Sequence, residues 1–178
     1  MCPTVYAHID RLLQLGTPVV SARGTKQKMK FFEDYPVGAV FAFPPFTVSE
    51  AEIVAFAKRF DAQPFHVDAT AASKSHFGGI IASGFHTCAM AMGSMVDNGF
   101  FSAAGMGSPG LDEIRWKQPV RSGQVLHVRT TVLGAKRSAS KPDRGVIRHI
   151  VELLNDRNEV VMSYIAMSMF PTRDPVAS

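Results

Sequence analysis

The chain has 178 residues, enough for one domain with a proper core. Apolar residues make up 46% and charged residues 19%, ordinary values for a globular protein. The net charge of +4 sits in residues 1–30, with five basic side chains against Asp10 alone; the other 148 residues balance at 14 basic and 14 acidic, which argues against a nucleic-acid-binding face.

Cys2 and Cys88 are the only cysteines. They cannot build a disulfide framework or a zinc set, and a reducing, cytoplasmic setting is expected. No run of about 18 apolar residues occurs, so no spanning helix and no membrane partner are expected.

In chain order, residues 1–30 read as a flexible extension: IDRLLQL suits a short helix that GTPVVSARGTKQK breaks. The domain is expected over residues 31–172, with a short tail at 173–178. Val37 to Val48 reads as a first strand interrupted by Pro44-Pro45. Ser49 then stands as an N-cap with Glu52 three residues on, a capping-box pattern. The helix that follows carries Ile53, Phe56, Ala57 and Phe60 on one face and stops before Asp61. DAQPFH is a turn by its proline, Asp68 caps a short helix ATAASKS, and Gly78-Gly79 break the chain. ASGFHTCAMAMGSMVDNGFF reads as a helix of small and sulfur-bearing residues, apolar nearly all round and so expected to be buried on most sides.

The last third changes period. LDEIRWKQPV, QVLHVRTTVLGAKR, GVIRHIVELLN and EVVMSYIAMSMF read as four strands, with Leu126, Val128, Thr130 and Val132 alternating with more polar neighbours. Strand, then helices, then a meander is an α+β order, an antiparallel sheet packing one face against a buried helix.

The chemistry concentrates in FDAQPFHVD and the glycine-rich HFGGIIASGFHT. Asp61 and His66 stand five residues apart across a turn stiffened by Pro64. An acid and a base on a rigid turn, beside a stretch that can present a bare backbone N–H, suit proton chemistry next to a carbonyl. Taken singly, Asp61 reads as a helix-end turn residue and His66 as a packed loop histidine; the combination with Pro64 and Gly84 favours catalysis. His76 and His86 read as structural. His66, His76 and His86, ten residues apart, do not suit a metal site, and none is expected.

The stretch FAKRFDAQPFHVDATAASKSHFGGIIASGFHTCAM resembles the signature of the MaoC-like acyl dehydratases, the (R)-specific enoyl-CoA hydratase group of the hotdog superfamily. The resemblance covers roughly residues 31–170. It implies a single hotdog domain, a curved antiparallel sheet wrapped around a central helix, paired as a homodimer or higher oligomer. It implies a hydratase/dehydratase of 2-enoyl and 3-hydroxyacyl thioesters in fatty acid metabolism, with an acyl-CoA or acyl carrier protein thioester as partner and no cofactor beyond the coenzyme A of the substrate. The catalytic aspartate and histidine fall on Asp61 and His66, and the oxyanion N–H on Gly84. Substrate contacts are expected from Gln63 and Ser83, from Met92 in an acyl tunnel, and from Arg115 and Lys117 near coenzyme A phosphates. The chain departs from the pattern at Phe60, where the family has glycine, and at Gln63, where it has asparagine. Two rivals remain: a hotdog thioesterase, which commonly uses a carboxylate on or next to the central helix, and a non-catalytic acyl-thioester binding subunit.

Overall fold

The computed structural model describes residues 19–21, 31–101 and 105–174. The expected helix IDRLLQL lies outside the described residues. Within 1–30, Val19–Ser21 form strand β1, which pairs in parallel with β2 (Val40–Ala42). A 3-10 turn covers Phe32–Asp34. The strand expected from Val37 to Val48 splits at Pro44-Pro45 into β2 and β3 (Phe46–Thr47), both antiparallel to β5 (Val125–Arg137). Proline cannot donate to a ladder, so the strand breaks there.

Helix α1 spans Glu50–Phe60 with the expected capping box. The Ser49 hydroxyl accepts from the Glu52 N–H, and the Glu52 carboxylate accepts from the Ser49 N–H at 2.8 Å. Short helices α2 (Pro64–Val67) and α3 (Ala69–Lys74) follow, the second capped by Asp68 as its sequence predicts. The long helix α4 runs Gly84–Asp97. Strands β4 (Gly110–Trp116), β5 (Val125–Arg137), β6 (Arg144–Asn155) and β7 (Val160–Pro171) complete the chain. The sheet order is β1-β2-β5-β6-β7-β4: β5, β6 and β7 form a meander, but β4, expected as its first strand, pairs with β7 instead of β5 and is an edge. The fold is α+β, a hotdog with α4 on one face of the sheet. No helix among the described residues is long and apolar enough to cross a membrane.

The core lies between α4 and the sheet. Tyr35, Phe41, Phe43, Phe100 and Phe170 make an aromatic cluster at one end, with Tyr35 and Phe170 ring centres 4.2 Å apart. The Tyr35 hydroxyl donates to the Phe100 carbonyl, which satisfies its polar end. One expectation needs correction: α4 is not buried on most sides. It buries His86, Thr87, Ala91 and Met95 against the sheet, while Phe85, Ala89, Met92 and Val96 form an exposed stripe. Small residues let the helix approach the sheet closely, but one surface covers only one face.

His149 on β6 is fully buried, and burial pushes its pKa down to about 4. The unfolded chain therefore binds a proton that the folded chain refuses between pH 6.5 and 4. The stability His149 provides as a neutral ring is full above pH 6.5 and is lost as pH falls; at pH 5 the loss is about 2 kcal/mol. Urea midpoints at pH 7 and pH 5 are expected to show this drop, and His149→Gln is expected to flatten it. An equal drop in that variant would assign the effect to other groups.

Candidate active site

The turn after α1 builds the site. Asp61 is the C-cap of α1, and its N–H closes the helix on the Ala57 carbonyl at 2.8 Å. Gln63 then caps α2, and Pro64 takes the first helical position, where its missing N–H costs nothing. This returns the chain sharply, so that His66 faces Asp61. His66 Nε2 lies 3.4 Å from Asp61 Oδ2.

The protonation pattern follows from the partners. His66 Nδ1 is 2.7 Å from the Ile81 carbonyl oxygen. A carbonyl only accepts, so Nδ1 carries the hydrogen. In the neutral ring Nε2 therefore presents a lone pair toward Asp61. Two acceptors at 3.4 Å do not bond directly; a proton or a water shared between them does.

Asp61 is held from both sides. The Ser83 hydroxyl donates to Oδ2 at 2.6 Å, and the Gln63 amide donates to Oδ1 at 2.8 Å. These two bonds, Ser83 first, keep the carboxyl below its usual pKa against the opposing effect of burial. Ser83 is fully buried and also caps α4, accepting from the Phe85 N–H. It thus ties the Asp61–His66 turn to the start of the central helix.

Gly84 is the first residue of α4, so its N–H has no acceptor inside the helix and sits at the positive end of the helix dipole. The Trp116 indole lies flat against it and donates to the Gly84 carbonyl at 2.9 Å. A Cβ at position 84 would stand 2.5 Å from the indole ring, so glycine is required here by a neighbour as well as by any incoming substrate. Asp61, Gln63, His66, Gly84, Trp116 and Lys117 all line one cavity of about 480 Å³, with Phe65, Phe77 and Phe85 as aromatic walls.

Five of the expected residues therefore converge on this cavity: Asp61, His66, Gly84, Gln63 and Lys117. Ser83 stands behind Asp61. Met92 and Arg115 do not join them. Met92 lines a second cavity two turns along α4. Arg115 is exposed on β4, with its guanidinium donating to the Ile114 carbonyl at 2.9 Å. Phe60 turns outward, its ring tilted against Phe56 at 5.0 Å and under the Arg59 guanidinium. His86 is buried and stacks on Phe56 at 4.5 Å, as a structural histidine does. Trp116 escaped sequence reasoning. It is the chain's single tryptophan, which was the available signal.

Residues 32–153 match the MaoC like domain. The chain belongs to the MaoC-like family. This MaoC-like protein is 43% identical to a MaoC-like dehydratase from Rhodospirillum rubrum whose crystal structure covers 82% of this chain and 99% of its own, with a TM-score of 0.76. Protein YdeM of Bacillus subtilis is 30% identical over 127 residues, 71% of this chain and 86% of its own length. Mesaconyl-CoA hydratase of Cereibacter sphaeroides is 29% identical over 155 residues, 83% of this chain and 43% of that protein. The chain thus spans most of YdeM and under half of the hydratase.

Proposed function

We propose that this protein adds water to 2-enoyl thioesters, and removes it from 3-hydroxyacyl thioesters, with coenzyme A as the carrier. The observation that carries the reading is the His66 Nε2 lone pair, aimed by the Ile81 carbonyl and 3.4 Å from a carboxylate kept ionised by Ser83 and Gln63. A water held between Asp61 and His66 gives a proton to Nε2 as its oxygen bonds to C3. The thioester oxygen gains charge as C2 becomes nucleophilic, and the Gly84 N–H faces it. The imidazolium, stabilised by Asp61, then delivers a proton to C2. Water is added in full and the enzyme returns to its starting state. The reverse sequence is dehydration. No step draws on a metal or a redox cofactor.

The mesaconyl-CoA hydratase relative supports a coenzyme A thioester as substrate, and a cytoplasmic setting fits it. The thioesterase rival commonly uses a carboxylate on or next to the central helix; Asp61, bonded to Ser83 at the start of α4, is one beside it, so the reaction product separates the two readings. On α4 the first acid is Asp97, at the far end from Gly84. A second copy of the chain fits over the open edge of β4 and the exposed Phe85–Val96 stripe, where Leu111 and Trp116 are also exposed. This makes the working unit a homodimer.

The test is hydration of crotonyl-CoA, followed by loss of enoyl absorbance. Turnover with formation of 3-hydroxybutyryl-CoA is the expected result. Release of free coenzyme A in its place would establish the thioesterase. Binding without either product would establish the non-catalytic subunit.

A further inference from the structure

The second cavity, about 340 Å³, lies between α4 and strands β4, β6 and β7. Its walls are apolar, with Met92, Met95, Val96 and Leu111 prominent, but its floor carries three polar side chains: His149, Tyr164 and Ser168. Their hydrogens can be placed. The Thr130 hydroxyl donates to the Ile150 carbonyl at 2.7 Å, so it accepts from His149 Nδ1–H at 2.9 Å. His149 Nε2 is then bare and takes the Ser168 hydrogen at 3.0 Å. The Ser108 hydroxyl at the rim donates to the Gly110 carbonyl. Tyr164 differs from these: its hydroxyl is buried, the residue is 1% exposed, and among the described residues the oxygen has no partner.

A buried donor without an acceptor is costly, and native proteins keep few of them without a use. Tyr164 lines a cavity large enough for several carbon atoms and their substituents, and its hydroxyl lies just beneath that surface. The exposed stripe of α4 joins the two cavities. Phe85 lines the one holding Asp61 and His66, while Met92 and Val96 line this one, on the same helix face. Eight residues of helix separate Gly84 from Met92, about 12 Å, the span of a medium-length acyl chain.

Resting on the hydratase reading of the Asp61–His66 cavity, we infer that the second cavity receives the far end of the acyl group, and that Tyr164 selects acyl groups carrying a neutral oxygen acceptor there over plain alkyl tails. A keto, ester, amide or hydroxyl oxygen would take the Tyr164 hydrogen. A carboxylate would not suit, because among the described residues no Lys or Arg lines the cavity and His149 is held neutral by burial. Met92, expected from the sequence to line an acyl tunnel, occupies this wall.

The test uses saturated thioesters, which bind without reacting. Calorimetry with decanoyl-CoA and 9-oxodecanoyl-CoA, long enough to cross the span of about 12 Å between the cavities, compares tails that differ by one oxygen. The native protein is expected to bind the oxo compound at least about tenfold tighter, the net worth of one intermolecular hydrogen bond. Tyr164→Phe is expected to bring the two affinities together. It is also expected to melt no lower than native, because it removes an unpaired hydroxyl and keeps the ring. Equal native affinities, or a preference that survives in Tyr164→Phe, would overturn the inference. Crotonyl-CoA turnover alongside equal affinities overturns this inference and leaves the hydratase reading standing. Discrimination without turnover of any enoyl thioester supports the pocket and removes the hydratase. Neither turnover nor binding removes both.

Discussion

His66→Ala is expected to lower kcat/KM for crotonyl-CoA hydration by at least about a hundredfold, and Asp61→Asn by a similar factor. A positioned acid–base group contributes roughly 10²–10⁴-fold, and here the two groups act on one water, so the double variant should lose little beyond either single one. The loss should fall on kcat more than on KM. Neither side chain is needed to hold the thioester before reaction, and both act on charge that develops during it. Asp61→Asn keeps the shape of the side chain and an oxygen for the Ser83 hydroxyl to meet at 2.6 Å, so its melting temperature reports whether the turn survives. A native fold with lost turnover assigns the chemistry to this pair. Full activity in both variants would move it elsewhere. Phe60→Gly, which restores the glycine of the family pattern, should change kcat/KM by less than about twofold, the small effect of a surface substitution; Phe60 points into solvent and does not line the cavity.

The elements near the site were legible where the signals are local. Ser49 and Glu52 are three residues apart, and Asp68 precedes its helix directly; each cap is decided within one turn of chain, and the structure forms them as read. The meander was legible because alternation at Leu126, Val128, Thr130 and Val132 repeats over a long strand. Ser83 on Asp61 was not legible in that way. It spans 22 residues, and nothing in either segment says which hydroxyl will reach the carboxylate. Trp116 on Gly84 spans 32 residues. Met92 stands apart from the Asp61–His66 cavity because eight residues of helix carry it about 12 Å from Gly84, although it is close in the chain. Arg115 stays outside the cavity because it faces opposite to Trp116 along the strand, while Lys117 lies beyond the end of β4, free of that alternation, and reaches the cavity with Trp116. The open stripe Phe85–Ala89–Met92–Val96 has the period of a buried helix face. Sequence periodicity reports that a face is apolar, and says nothing of whether its cover is the same chain or a second one.

Gly84→Ala is expected to damage the site through Trp116, and the sign of the effect should reverse when Trp116 is removed. In an isolated helix, alanine for glycine is favourable by up to about 1 kcal/mol. At position 84 the added Cβ would lie 2.5 Å from one indole carbon and 2.7 Å from the ring nitrogen. The indole must swing away, losing its bond to the Gly84 carbonyl and one wall of the catalytic cavity. Overpacking of this kind costs about 1–3 kcal/mol, which outweighs the helix term. The Gly84 N–H shifts with its residue, and one oxyanion donor is worth about 3 kcal/mol in the transition state, so kcat is expected to fall by more than about tenfold. Trp116 is the only tryptophan in the chain, so its fluorescence reads the displacement directly. The cycle of Gly84→Ala, Trp116→Ala and the double variant separates the causes. With the indole gone, the clash is gone, and alanine at 84 should be neutral or stabilising in a thermal melt. If Gly84→Ala is equally destabilising in the Trp116→Ala background, the glycine is required by backbone geometry and not by the indole. The activity of the double variant then tells whether the remaining loss belongs to the N–H or to the missing wall. Restored binding with kcat still low would point to the donor, since a wall contributes to holding the substrate before reaction and an oxyanion donor only during it.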